Sequence, residues 1–397
     1  MNDAHPLLRV RDLSTKFFTK EGTINAADKI SFDVNEGEIL SIVGESGSGK
    51  SVTGRSLLGL IESPGKIVNG EIWYRSPSLR EELDGDMVDG EYINLLSVSS
   101  SIRSSLLGKD FSMIFQDPEE SFNQSLTVGR QIAEAVEVNK RAENGETYSN
   151  IDLLKDIVTP GAQYISEESY DRAVELLKLV DIPDYTERAD EYPHQFSGGM
   201  LQRAMIAQAI ACDPEFLVAD EPTTGLDVTI QAGVINLLKN LQNELDLTVL
   251  LITHNLGVVS RLGDRTAVMY AGELFEVGPT DKVLNSPENP YTEGLLNSLP
   301  DLTDSNKYIE PISGNVPSLL DSEMGLGCSF ADRCPAATDE CTGSPPPTRA
   351  VNGDSGHRVT CLHAGDGDTE VPISIETNPT REEPRQDTNS KNIANND

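Results

Sequence analysis

The stretch Gly44-Glu45-Ser46-Gly47-Ser48-Gly49-Lys50-Ser51 has the form G-x-x-x-x-G-K-S. Glycines at these places let a backbone wrap with its N–H groups pointing inward, where they can meet phosphate oxygens. A helix starting near Gly49 adds the positive end of its dipole. Lys50 has the reach for the β- and γ-phosphates of a nucleotide, and the Ser51 hydroxyl can take a position on Mg2+. The same pattern can arise as a chance glycine-rich turn, and only its surroundings separate the two. Here the apolar run EILSIVG (38–44) leads in after a turn at Asn35-Glu36-Gly37, and GKSVTGRSLLGLI (49–61) reads as the following helix. Further upstream, LLRV and TINAADKISFDV are short β-type runs.

Downstream, Phe216-Leu217-Val218-Ala219 is an apolar strand that ends in two carboxylates, Asp220 and Glu221. Paired carboxylates at a strand end are common on surfaces, but the phosphate loop gives these a task. Asp220 can hold Mg2+ directly or through water, and Glu221 can polarise an attacking water as general base. A second apolar strand, TVLLIT (248–253), follows after a helix. Strand, helix, strand with continuous apolar runs implies a parallel sheet in an α/β fold. Phe111–Phe115 reads as another short buried strand. Residues 128–180 favour helices, with Ala173, Val174, Leu177 and Val180 on one apolar stripe. In Phe196-Ser197-Gly198-Gly199-Met200 a serine and two glycines open a helix that runs to 212, with Met200, Ala204, Ala207 and Ala211 on one face. That start is either an anion-binding helix terminus or a plain N-cap, and on its own it favours the cap.

The segment 75–108 carries Asp84-Gly85 and Asp89-Gly90 turns and the serine-rich VSSSIRSS, which predicts an exposed insertion. Residues 139–168 are also polar. From about 300 the chain is rich in Pro, Gly and Cys, and 364–397 is polar and lacks aromatics, which predicts disorder. No internal repeat is visible. The 397 residues carry a net charge of −34, which disfavours nucleic acid and anionic lipid as partners. The acids are spread along the whole chain, as on the solvated surface of a salt-adapted, halophilic protein. The opening MNDAHPLLRVRD lacks an apolar signal core, and no run approaches the roughly 18 apolar residues of a membrane span. A cytosolic chain that meets membranes through partners is expected. Of five cysteines, Cys212 stands alone and reads as core, while Cys328, Cys334, Cys341 and Cys361 are spaced C-x5-C-x6-C-x19-C. This is not zinc-finger spacing. Four thiolates suit a [4Fe-4S] cluster or an all-cysteine zinc site, and free buried thiols are the bland reading. His194 reads as structural, and His5, His357 and His363 as ordinary surface residues.

Phosphate loop, Ser-Gly-Gly helix and Asp-Glu strand, in this order, resemble the ATPases of ABC transporters. The Ser197-Gly198-Gly199 segment is similar to that family's signature, with Phe196 and Met200 replacing its commoner Leu and Gln. Gln116 in MIFQDP matches the Q-loop, Gly225-Leu226-Asp227 the D-loop, His254 in LLITHNLGVV the switch histidine, and Phe17 the aromatic that stacks on adenine. The resemblance runs from about Leu7 to Pro300. YPHQFSGGMLQR, ADEPTTGLDVTIQ, VMYAGELFEVG, NPYTEGLLNSLP and GCSFADRCPAA resemble the oligopeptide and dipeptide permease branch more closely. Departures are Asn255 in place of the usual Asp and Asn123-Gln124 in place of Asn-Pro.

The resemblance implies a P-loop NTPase of ABC type over residues 1–300: a RecA-like core, an antiparallel β subdomain, and a helical subdomain at about 115–200. A cysteine-bearing extension (301–363) would follow. It implies ATP contacts from Phe17, residues 44–51, Val52 and Gln116, and Mg2+ held through Ser51, Gln116 and Asp220. Catalysis would fall to Glu221 and His254. Ser197, Gly198 and Gly199, with Asp227 nearby, would face ATP bound by a partner. It favours [4Fe-4S] over zinc at the cysteines. The implied partners are two permease subunits, a second and different ABC ATPase, and an extracellular solute-binding protein. The chain would sit at the cytoplasmic face of the membrane and power uptake of di- or oligopeptides. Nickel or another solute is the alternative cargo. Soluble repair or translation ATPases fit less well, because no heptad run and only one cassette are present. A catalytically dead subunit fits less well still, because Glu221 and His254 are both in place.

Overall fold

The computed structural model describes residues 5–143 (apart from 82 and 84), 165–298, 311–320 and 325–364. The expected tail at 364–397 and most of the polar stretch at 139–168 lie outside them.

A first sheet is antiparallel and includes the start of the described chain. It contains β1 (Pro6–Phe18), β2 (Thr23–Asn35), β4 (Gly65–Arg75), β5 (Val88–Asp89) and β6 (Tyr92–Asn94), in the order β2-β1-β4-β6-β5. The segment 75–108 is therefore not a plain exposed insertion. β6 pairs with β4 at Trp73↔Asn94, and Tyr92, Ile93, Leu95, Val98 and Leu106 are buried. The run Tyr92-Ile93-Asn94-Leu95-Leu96 is strand-forming, and the turn pairs and serines around it hide that pattern.

The second sheet is built on β3 (Ile39–Val43), β7 (Phe111–Ile114), β8 (Phe216–Asp220), β9 (Thr248–Ile252), β10 (Arg265–Tyr270) and β11 (Glu273–Pro279). Neighbours from β7 through β8, β9 and β3 to β10 are parallel, as the continuous apolar runs require. Alternation then distributes the side chains. Leu217, Ala219, Val249 and Leu251 face a core shared with the helices, while Phe216, Val218, Leu250 and Ile252 face the core under the first sheet. With both faces covered, the open place on this sheet is the carboxyl ends of its strands, where ligands of α/β sheets bind.

Helix Val128–Glu143 packs on helix Glu167–Leu179, and both pack on helix Gly198–Ala209. The expected stripe is real: Ala173, Leu177 and Val180 are buried and Val174 packs beside them. Past Pro279 the chain returns to the same sheet. The hairpin β12 (Thr348–Val351) and β13 (Asp354–Thr360) adds to β11 at Glu276↔Val359, giving an eight-stranded sheet. His357, expected at the surface, is 2% exposed and lies 2.9 Å from the buried Glu276 carboxylate. An aromatic cluster fastens the extension further: Tyr270, Tyr291 and Phe330 meet in tilted and edge-to-face contacts with centroids 4.6–5.2 Å apart.

Candidate active site

β3 ends at Val43 and the phosphate loop turns into helix Lys50–Leu57. Gly44 and Gly49 are obligatory by contact as well as by angle. Gly49 has φ +101°, and a Cβ there would lie 2.0 Å from the Ala26 carbonyl oxygen. At Gly44 a Cβ would lie 2.0 Å from that of Met269. No side chain fits, so the backbone alone shapes the cradle. Lys50 is folded back into it: Nζ donates to Gly44 O (2.9 Å) and Glu45 O (2.8 Å). Burial lowers its pKa, while Glu221, Asp220 and Glu45 oppose that shift.

β8 delivers Asp220 beside the loop. Ser51 Oγ donates to Asp220 Oδ1 at 2.7 Å. Oδ2 is buried without a hydrogen-bond partner, with only the Arg55 guanidinium 3.9 Å away. Burial raises the Asp220 pKa against the Ser51 hydrogen bond and the Arg55 charge. A buried carboxylate oxygen left unpaired next to a serine hydroxyl is a half-built cation site. The residues present thus fit Mg2+.

Glu221 follows with φ +53°, a left-handed backbone that is strained for glutamate. Its amide donates to Ile252 O on β9 at 2.8 Å. Thr224 Oγ1 donates to its carboxylate at 2.7 Å, and His254 Nδ1 lies 2.8 Å from it. Lys50, Ser51, Val52, Gln116, Glu221 and His254 line one cavity of about 460 Å³, together with Ser46, Gly47 and Gly49. Gln116 also lines a larger cleft of about 810 Å³, walled by Glu119, Gly198, Gln202 and Leu226. It therefore stands between the cavity and the helical layer.

Other expected residues lie elsewhere. Phe17 does not line the cavity; its ring lies against Gly65, where a Cβ would be 2.7 Å from Cε1. Leu319, from the C-terminal extension, walls the cavity with Ala26 instead, held by a 2.8 Å bond from the Asn25 amide to its carbonyl. Leu319 lies in ISGNVPSLL (312–320), a run that resembles the peptide-permease extension, but the sequence reading gave it no place at the cavity. Ser197 caps its helix by accepting from Met200 N (3.4 Å), and both it and Gly199 are outside this cavity. Asp227 likewise caps helix Val228–Leu245, accepting from Thr229 and Ile230 at 3.0 Å.

Cys328, Cys334, Cys341 and Cys361 do converge, on a pocket of about 20 Å³, room for little more than a water molecule. Burial pushes the Cys328 thiol up to about 11. His363, expected to be an ordinary surface residue, lies 3.6 Å from Cys341 Sγ. As the side chains stand, no group of three or more His, Cys, Asp or Glu among the described residues is drawn close enough to hold a metal ion. The arrangement does not fit a cluster as it is.

A phosphate cradle that admits only glycine at 44 and 49, a lysine inside it, and a Ser-Asp pair beside a strained glutamate define a nucleoside-triphosphate hydrolase of the phosphate-loop class. Residues 27–224 match the ABC transporter family, and 275–341 match the oligopeptide/dipeptide transporter C-terminal region. The chain is 42% identical over 348 residues to a putative peptide import ATP-binding protein of Brucella abortus, covering 88% of this chain and 92% of the relative. It is 42% identical to the dipeptide transport ATP-binding protein DppD of Haemophilus influenzae (84% and 89% covered) and 40% identical to DppD of Bacillus subtilis (89% and 94%). The fold is shared with the dimeric ATP-binding cassette MJ0796 in its post-hydrolysis state with ADP and Pi, at TM-score 0.52, 24% identity, 69% of this chain and 98% of that one. This chain belongs to the ATP-binding subunits of ABC transporters, ATPases whose hydrolysis is coupled to transport. Such a subunit works with membrane permeases. Among the described residues no helix is long and apolar enough to cross a membrane.

Proposed function

We propose that this chain binds Mg-ATP at the cavity of residues 44–52 and that its hydrolysis drives import of di- or oligopeptides. The observation that carries the chemistry is the convergence of Lys50, Ser51, Glu221 and His254 on one cavity with Asp220 behind Ser51. The cargo rests on the relatives' names and on the C-terminal region shared with peptide transporters.

The residues divide the work as follows. Backbone amides of the loop receive the phosphates, and Lys50 leaves the Gly44 and Glu45 carbonyls for the β- and γ-phosphates. Ser51 and Asp220, with Gln116 on the same cavity, would hold Mg2+, which would supply charge neutralisation to the phosphates. Glu221, braced by Thr224, takes the proton of a water aimed in line at the γ-phosphorus. His254, hydrogen-bonded to Glu221, orients that carboxylate and the γ-phosphate under attack, and ADP departs on the opposite side. Ser197, Gly198 and Gly199 meet the nucleotide of a second ATPase subunit, with Asp227 at the same face. Gln116 passes closure to the helical layer and so to two permeases. We take the second ATPase to be a different chain, peptide to arrive from a solute-binding protein, and the complex to face the cytoplasm. We assign three units to the chain: the cassette (1–300), the cysteine-bearing extension (301–363) and the tail.

The convergence of Cys328, Cys334, Cys341 and Cys361 on one pocket supports a [4Fe-4S] or zinc site, which these side chains would have to rearrange to hold. Iron and zinc analysis of anaerobically purified protein, with and without Cys334→Ser, decides it; protein free of both metals removes the reading. The spread of acids supports a salt-adapted surface. Reconstitution with the permeases and the second ATPase, assayed for Mg-ATP-dependent uptake of labelled dipeptides against nickel, tests the cargo. Uptake of nickel alone would reassign it.

A further inference from the structure

Glu45 is the second residue of the phosphate loop, and a carboxylate there repels the polyanion the loop receives. Arg333 meets it from 288 residues away, with Nη1 2.7 Å from one oxygen and Nη2 3.0 Å from the other. Such a planar fork on a carboxylate is the strong form of an ion pair. The arginine is itself seated. Its side chain is only 5% exposed. Nε donates to Ser313 O (3.0 Å), Nη1 to Tyr270 Oη (3.1 Å) and Nη2 to Ile312 O (3.4 Å). Gly314, at φ +83°, leaves room for it, since a Cβ there would lie 3.2 Å from Arg333 Cγ. The Glu45 amide donates to Tyr291 Oη at 3.0 Å, and its carbonyl accepts from Lys50 at 2.8 Å. Every polar group of Glu45 is thus engaged, two of the three from beyond the phosphate loop. Leu319, on the same extension, walls the cavity.

We propose that Arg333 is a positioning residue for ATP: it cancels the Glu45 charge and holds the phosphate loop open to the nucleotide, so that the C-terminal extension is a working part of the ATP site. This rests on Mg-ATP binding at residues 44–52. Without Arg333, Glu45 becomes a stranded negative charge beside the triphosphate, which weakens binding in the ground state and in the transition state alike. KM for ATP should therefore rise more than kcat falls.

Mg-ATP is titrated calorimetrically into the purified full-length chain, and steady-state kinetics are followed with its partners. Arg333→Ala should weaken Mg-ATP binding about tenfold or more and raise KM alike, with kcat changed less than about threefold. Adding Glu45→Gln to that variant removes the stranded charge and should bring the Kd back to within about threefold of wild type. A purely structural role for Arg333 gives no such rescue. Wild-type affinity in Arg333→Ala, or a double variant no tighter than the single one, overturns the proposal. If Arg333→Ala does not fold, Arg333→Gln, neutral but still hydrogen-bonding, is read by the same criteria. A wild-type chain that fails to bind Mg-ATP would sink the site itself instead.

Discussion

Asp220 is wholly buried, and its Oδ2 accepts no hydrogen bond. A buried charge with half its partners missing costs stability. Asp220→Asn should therefore leave the nucleotide-free protein as stable as wild type, or more stable by about 1 kcal/mol, in thermal unfolding without Mg2+. Mg-ATP turnover should fall by at least about 100-fold. A variant that loses stability together with activity would mark Asp220 as structural and not as a cation ligand. Glu221 makes the complementary case. Its strained φ of +53° and its bonds to Thr224 and His254 aim one carboxylate into the cavity. Glu221→Gln should cut turnover by about 10²- to 10⁴-fold, the usual worth of a general base, and keep Mg-ATP affinity. Normal hydrolysis by this variant would remove Glu221 from catalysis. Both carboxylates were legible in the sequence because the phosphate loop upstream gives a task to an apolar strand that ends in Asp-Glu, a pattern that on its own is common on surfaces. Thr224 was not, because a threonine in a loop carries no signal until its partner's position is known.

Helix Val128–Glu143 and helix Glu167–Leu179 are joined by one carboxylate. Glu137 accepts from the Ser166 amide (3.0 Å) and from the hydroxyls of Ser166 and Ser169 (2.7 Å each), and pairs with Arg141. Burial pushes its pKa up, but the hydrogen bonds from Ser166, Arg141 and Ser169 outweigh that and hold it down to about 2. An acid depressed from an ordinary value near 4.5 stabilises the fold above that pH, and the stabilisation is lost as pH falls through about 4.5 toward 2. The shift corresponds to about 3 kcal/mol. Glu137→Gln should lower stability by that order at pH 7, and the gap from wild type should close as pH drops below about 4. A gap that is the same at pH 7 and pH 3 would show that packing and not charge joins the helices. The second of these helices was readable from its stripe of Ala173, Leu177 and Val180, whereas Glu137 on the first reads as one more exposed acid. The same contrast holds among the strands. β8 and β9 announce themselves because both faces are buried. β12 and β13 do not, since their register is set by β11, some 80 residues earlier in the chain.

Long-range pairing of this kind is what the sequence conceals most thoroughly: Arg333 sits in the family-like run GCSFADRCPAA, which gives no hint of a partner, and closes on Glu45 in the best-marked loop of the chain. The overall charge is the opposite case, fully legible yet silent about fold. At −34 the molecule repels itself, and the pairs that oppose this are mostly surface pairs such as Arg75 with Glu36 and Glu91, each worth little. Screening acts on the two terms unequally. Like charges scattered over a surface interact across many ångströms and are screened once the Debye length falls from about 10 Å at 0.1 M salt to about 3 Å at 1 M. Contacts such as Arg333 with Glu45, 2.7 Å apart and buried, keep most of their strength. Added salt should therefore remove more repulsion than attraction. The unfolding midpoint, followed by calorimetry, should rise by several degrees between about 0.1 M and 2 M KCl, with most of the rise below 1 M, where screening saturates. A rise that continues linearly to high salt would come from salting-out of apolar surface, and a flat or falling midpoint would show that the acidic surface is not adapted to salt.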